Sequence, residues 1–371
     1  MSVCSALRRS VILYLLMLLM LCACGAPSFT SSQRATGVAQ SLPTPEPEIL
    51  TDTLHCTNYV ETEWGTRPGE FGLCPPETTC RSCAPPRLSL SAQGDMYVLD
   101  EANRRILRYS GTKTPQVISI NNLYEIYDIA FRHCGCSSMK ELRLGAARDQ
   151  LFLLFSTWQD NRWVDQLAIL SLEGRVEHVV DLGAYYPLRA YALIPDEQGG
   201  VYLIFPPAGI VYFDANLRSY FQYMGSDDPW GYFRLTVGWD GNLYTYQARD
   251  DVLFNWGGAP ALRGEPIRWQ TNVISITSQV TSSTAWVSFL GADTNGRLYY
   301  ELELQPRLGS IDYRRFVRIS STRDQIVMAI APAEERASFL LAPDGSLYSI
   351  VYDPANPSVR PGIIKCSFDR D

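Results

Sequence analysis

The sequence predicts an all-β fold: a six-bladed β-propeller over residues 87–371, preceded by a Cys-rich, irregular N-terminal lead-in. Three observations predict it. A short corner, Gly-x-apolar-aromatic, recurs through the chain at intervals of 42 to 55 residues. Alternating apolar strands precede and follow most of these corners. Helical periodicity is almost absent, with Arg132–Lys140 and Pro332–Arg336 the only short candidates. A chain of 371 residues can bury a sizeable core, and 46% hydrophobic with 12% aromatic residues suits a strand-rich globular body.

Residues 1–23 read as a lipoprotein signal peptide. Arg8 and Arg9 flank Val11–Leu21, an apolar run of the length of a secretion-signal core. The following Leu21-Cys22-Ala23-Cys24-Gly25 resembles the bacterial lipobox. That resemblance implies that Cys24 is diacylated and becomes the new N-terminus. Cys22 departs from the usual Ser, Ala or Thr at its position. The competing reading is an uncleaved membrane anchor, because apolar character continues to about Ala26. Either reading places the remainder outside the cytoplasm and ties it to a membrane. Residues 24–50, rich in Ser, Thr, Pro, Ala and Gln, read as a disordered tether with a reach on the order of 25–30 Å.

Ten cysteines are present. Cys4 and Cys22 leave with the signal, and Cys24 carries lipid. Residues 51–86 read as an irregular lead-in held by bridges rather than by a core. The disulfide candidates are Cys56, Cys74, Cys80, Cys83, Cys134 and Cys136. Cys134 and Cys136 are too close to bridge each other easily and are expected to reach back to the 56–83 segment. Cys366 is expected to be the thiol left over. Cys80-x-x-Cys83 has the spacing of zinc knuckles and thiol oxidoreductases. No helix start follows it, however, and an oxidising compartment favours paired thiols.

The corners are Gly94-Asp-Met-Tyr97, Gly199-Gly-Val-Tyr202, Gly241-Asn-Leu-Tyr244, Gly296-Arg-Leu-Tyr299 and Gly345-Ser-Leu-Tyr348, with a degenerate Asp149-Gln-Leu-Phe152. Such corners reverse the chain between period-2 strands, building four-stranded meanders. A lone meander cannot bury both faces, but radial stacking covers them and leaves only short protected edges. A pair of β-sandwiches reusing one hairpin corner is the alternative, and the regular spacing disfavours it. Ile363–Phe368 should add a late strand to the last blade, with the chain before Arg87 supplying its outer partner. In Ser89–Ser110 the pattern Gly-x-apolar-Tyr-Val-x-Asp followed by Asn103-Arg104-Arg105-Ile106 resembles the NHL repeat of the NHL/TolB-like propellers. This resemblance covers about twenty residues and implies architecture; later corners lack the Asn-x-Arg-Ile.

Motifs for chemistry are sparse. His55 and His133 each lie beside a cysteine, and His178 reads as an exposed strand residue. No nucleophile elbow, H-E-x-x-H or phosphate-binding loop occurs. The charge is −7 and no Lys/Arg cluster follows the first ten residues, which argues against nucleic acid. Propeller hydrolases and lactonases hold Ca²⁺ with inner-strand acids, for which Asp100, Asp128, Asp196, Asp240, Asp293 and Asp344 can be nominated. Most of these sit where Asp stabilises a turn. The ring-rich connection Tyr220–Phe233 offers Tyr223, Trp230 and Tyr232 as partner-binding candidates.

The expected function is a non-catalytic protein-binding or scaffold module, anchored by lipid at the membrane surface. Its partner would be another envelope or membrane protein, and no cofactor or metal is expected. The alternative is a Ca²⁺-dependent hydrolase or lactonase with its site in the central channel.

Overall fold

In a computed structural model the strands between corners assemble into successive antiparallel sheets. The structure describes residues 48–72, 86–111, 113–127, 142–159, 162–183, 190, 192–196, 198–205, 209–223, 234–249, 252–258, 270–275, 284–304, 313–320, 325–331, 338–352 and 358–369. The fold lies within one unit, Glu46–Asp371. The signal and most of the tether, including Cys24, lie outside the described residues.

The described chain begins with a long strand, β1 (Glu48–Glu61). Four meanders follow, each ordered as the chain runs. The first comprises β2 (Arg87–Leu90), β3 (Met96–Asp100), β4 (Arg105–Tyr109) and β5 (Gln116–Ser119). The second comprises β6 (Arg143–Ala146), β7 (Gln150–Gln159), β8 (Arg162–Ser171) and β9 (Val176–Asp181). In the third are β10 (Ala192–Pro195), β11 (Val201–Phe205), β12 (Gly209–Phe213) and β13 (Ser219–Tyr223). The fourth holds β14 (Arg234–Val237), β15 (Leu243–Arg249), β16 (Val252–Gly258) and β17 (Gln270–Ser275). Seven further strands complete the chain: β18 (Thr284–Ala292), β19 (Leu298–Leu304), β20 (Tyr313–Ile319), β21 (Gln325–Ala331), β22 (Leu340–Leu341), β23 (Leu347–Val351) and β24 (Gly362–Phe368). With β1 they form an eight-stranded sheet in the order β18-β19-β20-β21-β1-β24-β23-β22.

The cores lie between successive sheets. Tyr97, Leu99 and Ile106 of the first meander pack against Leu151, Leu153 and Ala168 of the second. Phe152, Leu154 and Leu167 then meet Val201, Leu203 and Val211 of the third. Tyr244 of the fourth packs on Phe289, Leu298 and Tyr300, and Phe316 and Val327 pack on Leu341, Leu347 and Ile364. Finally Tyr348, Ile350 and Ile363 return to Met96, Val98 and Leu107 of the first meander. The last sheet therefore closes on the first, which is the radial arrangement of a β-propeller.

Strand β1 departs from the expectation over its own length: residues 48–50, expected as tether, and 51–61, expected as irregular lead-in, are strand. Its first half pairs in parallel with β21, Glu48–Thr53 against Gln325–Ile330. Its second half pairs antiparallel with β24, with a bulge between Asn58 and Val60. The physical reason is a period-2 apolar set hidden among threonines. Leu50, Leu54 and Cys56 face one core, and after the bulge Tyr59 and Val60 face the next. The expected outer partner for Ile363–Phe368 is thus this strand.

The cysteine assignment is corrected as well. Cys366 is not a leftover thiol, because it forms a disulfide with Cys56. The two residues are register partners across β1 and β24, so pairing of the chain ends brings them together regardless of their separation in sequence. Cys74, Cys80, Cys83, Cys134 and Cys136 lie outside the described residues, as do Arg132–Lys140 and Pro332–Arg336. A short helix that the periodicity does not announce, α1 (Asn121–Tyr127), follows β5. Leu123 and Tyr124 bury it against the first interface, and packing rather than helix propensity holds so short a segment.

A candidate binding cavity on the propeller axis

The six corners share one backbone geometry. The residue just after the strand that enters each corner donates its N–H to a carbonyl across the turn: Ser91 to Asp95 (2.9 Å), Ala147 to Gln150 (3.0 Å), Asp196 to Gly200 (2.9 Å), Gly238 to Asn242 (2.8 Å), Asp293 to Arg297 (3.0 Å) and Ala342 to Ser346 (2.8 Å). The recurring glycine is required by its conformation: Gly94, Gly199, Gly241, Gly296 and Gly345 have φ between 73° and 86°. The degenerate second corner is one residue shorter and has no glycine.

Four of the nominated carboxylates are engaged in these turns. Asp293 Oδ1 accepts from the backbone N–H groups of Asn295 and Arg297, and its Oδ2 accepts from Arg297 Nε at 2.5 Å and from the Tyr299 hydroxyl at 3.1 Å. Asp196 Oδ1 accepts from the N–H groups of Gln198 and Gly200, and its Oδ2 from the Tyr212 hydroxyl at 2.6 Å. Asp240 accepts from Asn242 and from the Tyr244 hydroxyl. Asp344 accepts from the Ser346 N–H, and Lys365 lies 3.4 Å away. Burial alone would raise the Asp344 carboxyl, but these donors outweigh it and hold it below the usual carboxylate range. The aromatic of the corner thus has a second task. Tyr244 and Tyr299 pin the turn carboxylate of their own corner, whereas at the third corner the cross-strand neighbour Tyr212 does so. Burial is the main reason the Tyr212 and Tyr299 phenols are pushed far above their ordinary range, and the adjoining carboxylates add to it.

Asp100 has a different role. It caps the turn Glu101–Asn103, accepts from Gly72 N–H at 3.1 Å, and binds Arg105 Nε at 2.9 Å. Arg105 spends its other nitrogens on the carbonyls of Thr66 (2.8 Å) and Glu70 (2.7 Å), while Asn103 Nδ2 donates to the Gly65 carbonyl at 2.9 Å. The family-like Asn103–Ile106 stretch therefore clamps the segment that carries the chain from β1 to β2. A Cβ on Gly72 would collide with Asp100 and Ala102. Among the described residues this clamp holds Gly65–Gly72 to the first meander, while Thr62 and Trp64 bond Pro361 and Val359 near the start of β24. Asp128 lies outside the described residues.

Register places Leu88, Leu144, Leu193 and Leu235 at equivalent positions, opposite Val98, Leu153, Leu203 and Thr245; on β18 that position is Phe289, opposite Tyr300, and Leu290 follows it in a β-bulge. Around this layer lies a cavity of about 290 Å³, whose wall includes Leu88, Leu144, Leu193, Leu290, Leu340 and Trp239. The first strands or corners of all four meanders contribute to it, as do β18 and β22 of the eight-stranded sheet, so it sits on the propeller axis. Trp239 is held by its indole Nε1, which donates to the Leu341 carbonyl at 2.7 Å, and by its own N–H to Ala292. Ser89, Thr236, Asp196 and Gln198 supply polar groups. Neither Trp239 nor the leucine layer stood out in the sequence. The available signal was the Arg-Leu pair opening three inner strands, Arg87-Leu88, Arg143-Leu144 and Arg234-Leu235.

Among the other candidates, Tyr223 ends β13, and Trp230 and Tyr232 lie outside the described residues. His178 is exposed on β9. His55 is exposed on β1, its Nε2 2.7 Å from Asp369. Among the described residues no group of three or more His, Cys, Asp or Glu is arranged to hold a metal ion. No described helix is long and apolar enough to cross a membrane.

No protein family matches the sequence, and no curated protein is similar to it. Solved structures with a similar fold include a streptogramin B lyase, at 10% identity and TM-score 0.40 over 85% of this chain and 98% of that one. Another is a member of the DUF4221 family from Bacteroides vulgatus, at 10% identity and TM-score 0.44 over 86% and 98%. A third is the β-propeller domain of the trilobed protease from Pyrococcus furiosus, at 9% identity and TM-score 0.35 over 58% and 79%. At such identities and scores these likenesses assign no activity to this chain.

Proposed function

We propose that this chain is a six-bladed β-propeller lipoprotein, anchored through Cys24 to the outer face of a membrane, that serves as a non-catalytic protein-binding or scaffold module. The blade count follows from treating the eight-stranded sheet as two blades sharing β1: β18–β21, and β22–β24 completed by β1. The partner in this reading is another envelope or membrane protein, with the chain an accessory subunit of its complex.

One observation carries the non-catalytic reading. Asp100, Asp196, Asp240, Asp293 and Asp344, the described acids that a Ca²⁺-dependent hydrolase would need on the axis, are engaged in turns and in the clamp. The described wall of the axial cavity carries seven leucines, and the acid on it, Asp196, is one of those held in a turn. The anchor rests on the lipobox resemblance at Leu21–Gly25.

The test is membrane fractionation and mild solubilisation of the full chain beside Cys24→Ser. The wild type should label with a fatty-acid probe, sediment with membranes and co-purify with a membrane protein at fixed stoichiometry. Cys24→Ser should be unlabelled and soluble. Membrane retention of a wild type that takes up no label and keeps residues 1–23 would establish an uncleaved anchor instead. Purification of the wild type alone from its own membranes would overturn the scaffold reading.

A further inference from the structure

We propose that the axial cavity binds a small uncharged molecule with an aromatic or branched hydrocarbon body, about the size of one substituted ring. This goes beyond the anchor and scaffold reading and does not depend on it. The first argument is the wall. Leu88, Leu144 and Leu193 occupy equivalent register positions in three sheets, Leu290 joins them from the β-bulge of a fourth, and each is only partly buried. Leucine surface left against water on the axis is unfavourable by about 25 cal/mol per Å². The leucine side of the wall offers an apolar body a surface to cover, beside the polar Ser89, Thr236, Asp196 and Gln198. The volume here, about 290 Å³, lies just below the roughly 300 Å³ at which ligand clefts begin. It admits one ring with a short substituent and excludes a folded segment.

The second argument is charge. Among the described residues Asp196 is the acid on the wall, and three of its acceptor positions are taken by Gln198 N–H, Gly200 N–H and the Tyr212 hydroxyl. An anionic ligand would meet this carboxylate and lose its hydration without compensation. Ser89 and Thr236 bring hydroxyls to the wall for one polar substituent on a neutral ligand. The mouth lies at the corner end, where Gln198 and Gly241 are the exposed wall residues. Trp239 stands beside it, fixed by the Leu341 carbonyl.

The probe is fluorobenzene, followed by ¹⁹F NMR against the full mature chain carrying Cys24→Ser, which keeps the probe out of detergent. Saturable binding is expected, displaced by toluene and not by benzoate. Filling the cavity with Leu144→Trp or Leu290→Phe should weaken binding at least tenfold while the thermal midpoint is kept. Two filling variants are used so that a folding failure in one leaves the other decisive. Trp239→Phe should remove most of the ligand-dependent change in tryptophan emission. Absence of saturable binding to the wild type, or unchanged affinity in a folded filling variant, would overturn the proposal. Displacement by benzoate as effective as that by toluene would overturn its restriction to uncharged ligands.

Discussion

Cys56 and Cys366 face each other across β1 and β24 with their Cα atoms 4.0 Å apart, and the disulfide between them spans 310 residues of sequence. Cys366 is fully buried. The bond joins the first described strand to the last and so makes closure of the ring covalent.

Removing that bond should be costly. A disulfide limits the unfolded chain more as its loop lengthens, and loss of a native bridge typically costs about 2–5 kcal/mol. Cys56→Ser/Cys366→Ser is expected to lower the unfolding free energy, measured by chemical denaturation, by an amount in that range. Peptide mapping without reduction should recover the Cys56–Cys366 pair; finding both thiols free would refute it.

The clamp on the β1–β2 segment should not tolerate a conservative change. Arg105 and Asp100 are buried, with side-chain exposures of 8% and 1%, and lysine cannot reproduce the three-way hydrogen bonding of the guanidinium. Arg105→Lys is expected to destabilise by about 3 kcal/mol, in the range for breaking a buried pair. Arg360→Lys, in an exposed pair with Glu63, should change stability by less than about 1 kcal/mol. Urea unfolding of both variants checks the contrast, and equal effects would contradict the clamp.

The tyrosine–aspartate pairs at the corners predict a graded series. Tyr299→Phe removes one hydrogen bond and should cost about 1 kcal/mol. Asp293→Ala strips two backbone donors and Arg297 of their acceptor and should cost about 3 kcal/mol. A larger loss from Tyr299→Phe than from Asp293→Ala, measured by chemical denaturation, would show that the ring rather than the carboxylate organises the turn.

Alkali should destabilise the fold from about pH 10. Burial pushes the Tyr97 and Tyr109 phenols up to about 12. Between pH 10 and 12 the unfolded chain releases those protons while the folded chain keeps them. Stability from these groups is therefore complete below pH 10 and is lost as pH rises through 12. Thermal midpoints across that window should fall, with phenolate absorbance lagging until unfolding. An early phenolate signal from folded protein would contradict the burial.

The corners were readable in the sequence because their glycine needs a left-handed backbone that other residues resist, so one residue type marks each turn. The inner-strand layer was harder to see. Leucine at that level looks like any strand leucine until register shows that its equivalents meet on one axis. Strand β1 was hidden because its apolar positions alternate with threonines and its partners lie at the other end of the chain. The disulfide was misassigned for the same reason: proximity in sequence pointed to the neighbouring cysteines, and sheet pairing decided otherwise. The Asn103–Ile106 stretch was recognised as family-like, but its use required knowing which segment crosses above it.

The position of the disulfide also sets a mechanical load path. Force applied ahead of residue 48 pulls on β1, where the six register pairs from Glu48 to Thr53 with β21 bear it first. If they shear, Cys56 acts as a catch and transfers tension to β24, in the centre of a sheet. A tugged molecule would then lengthen by a few residues and stop, with its ring still shut.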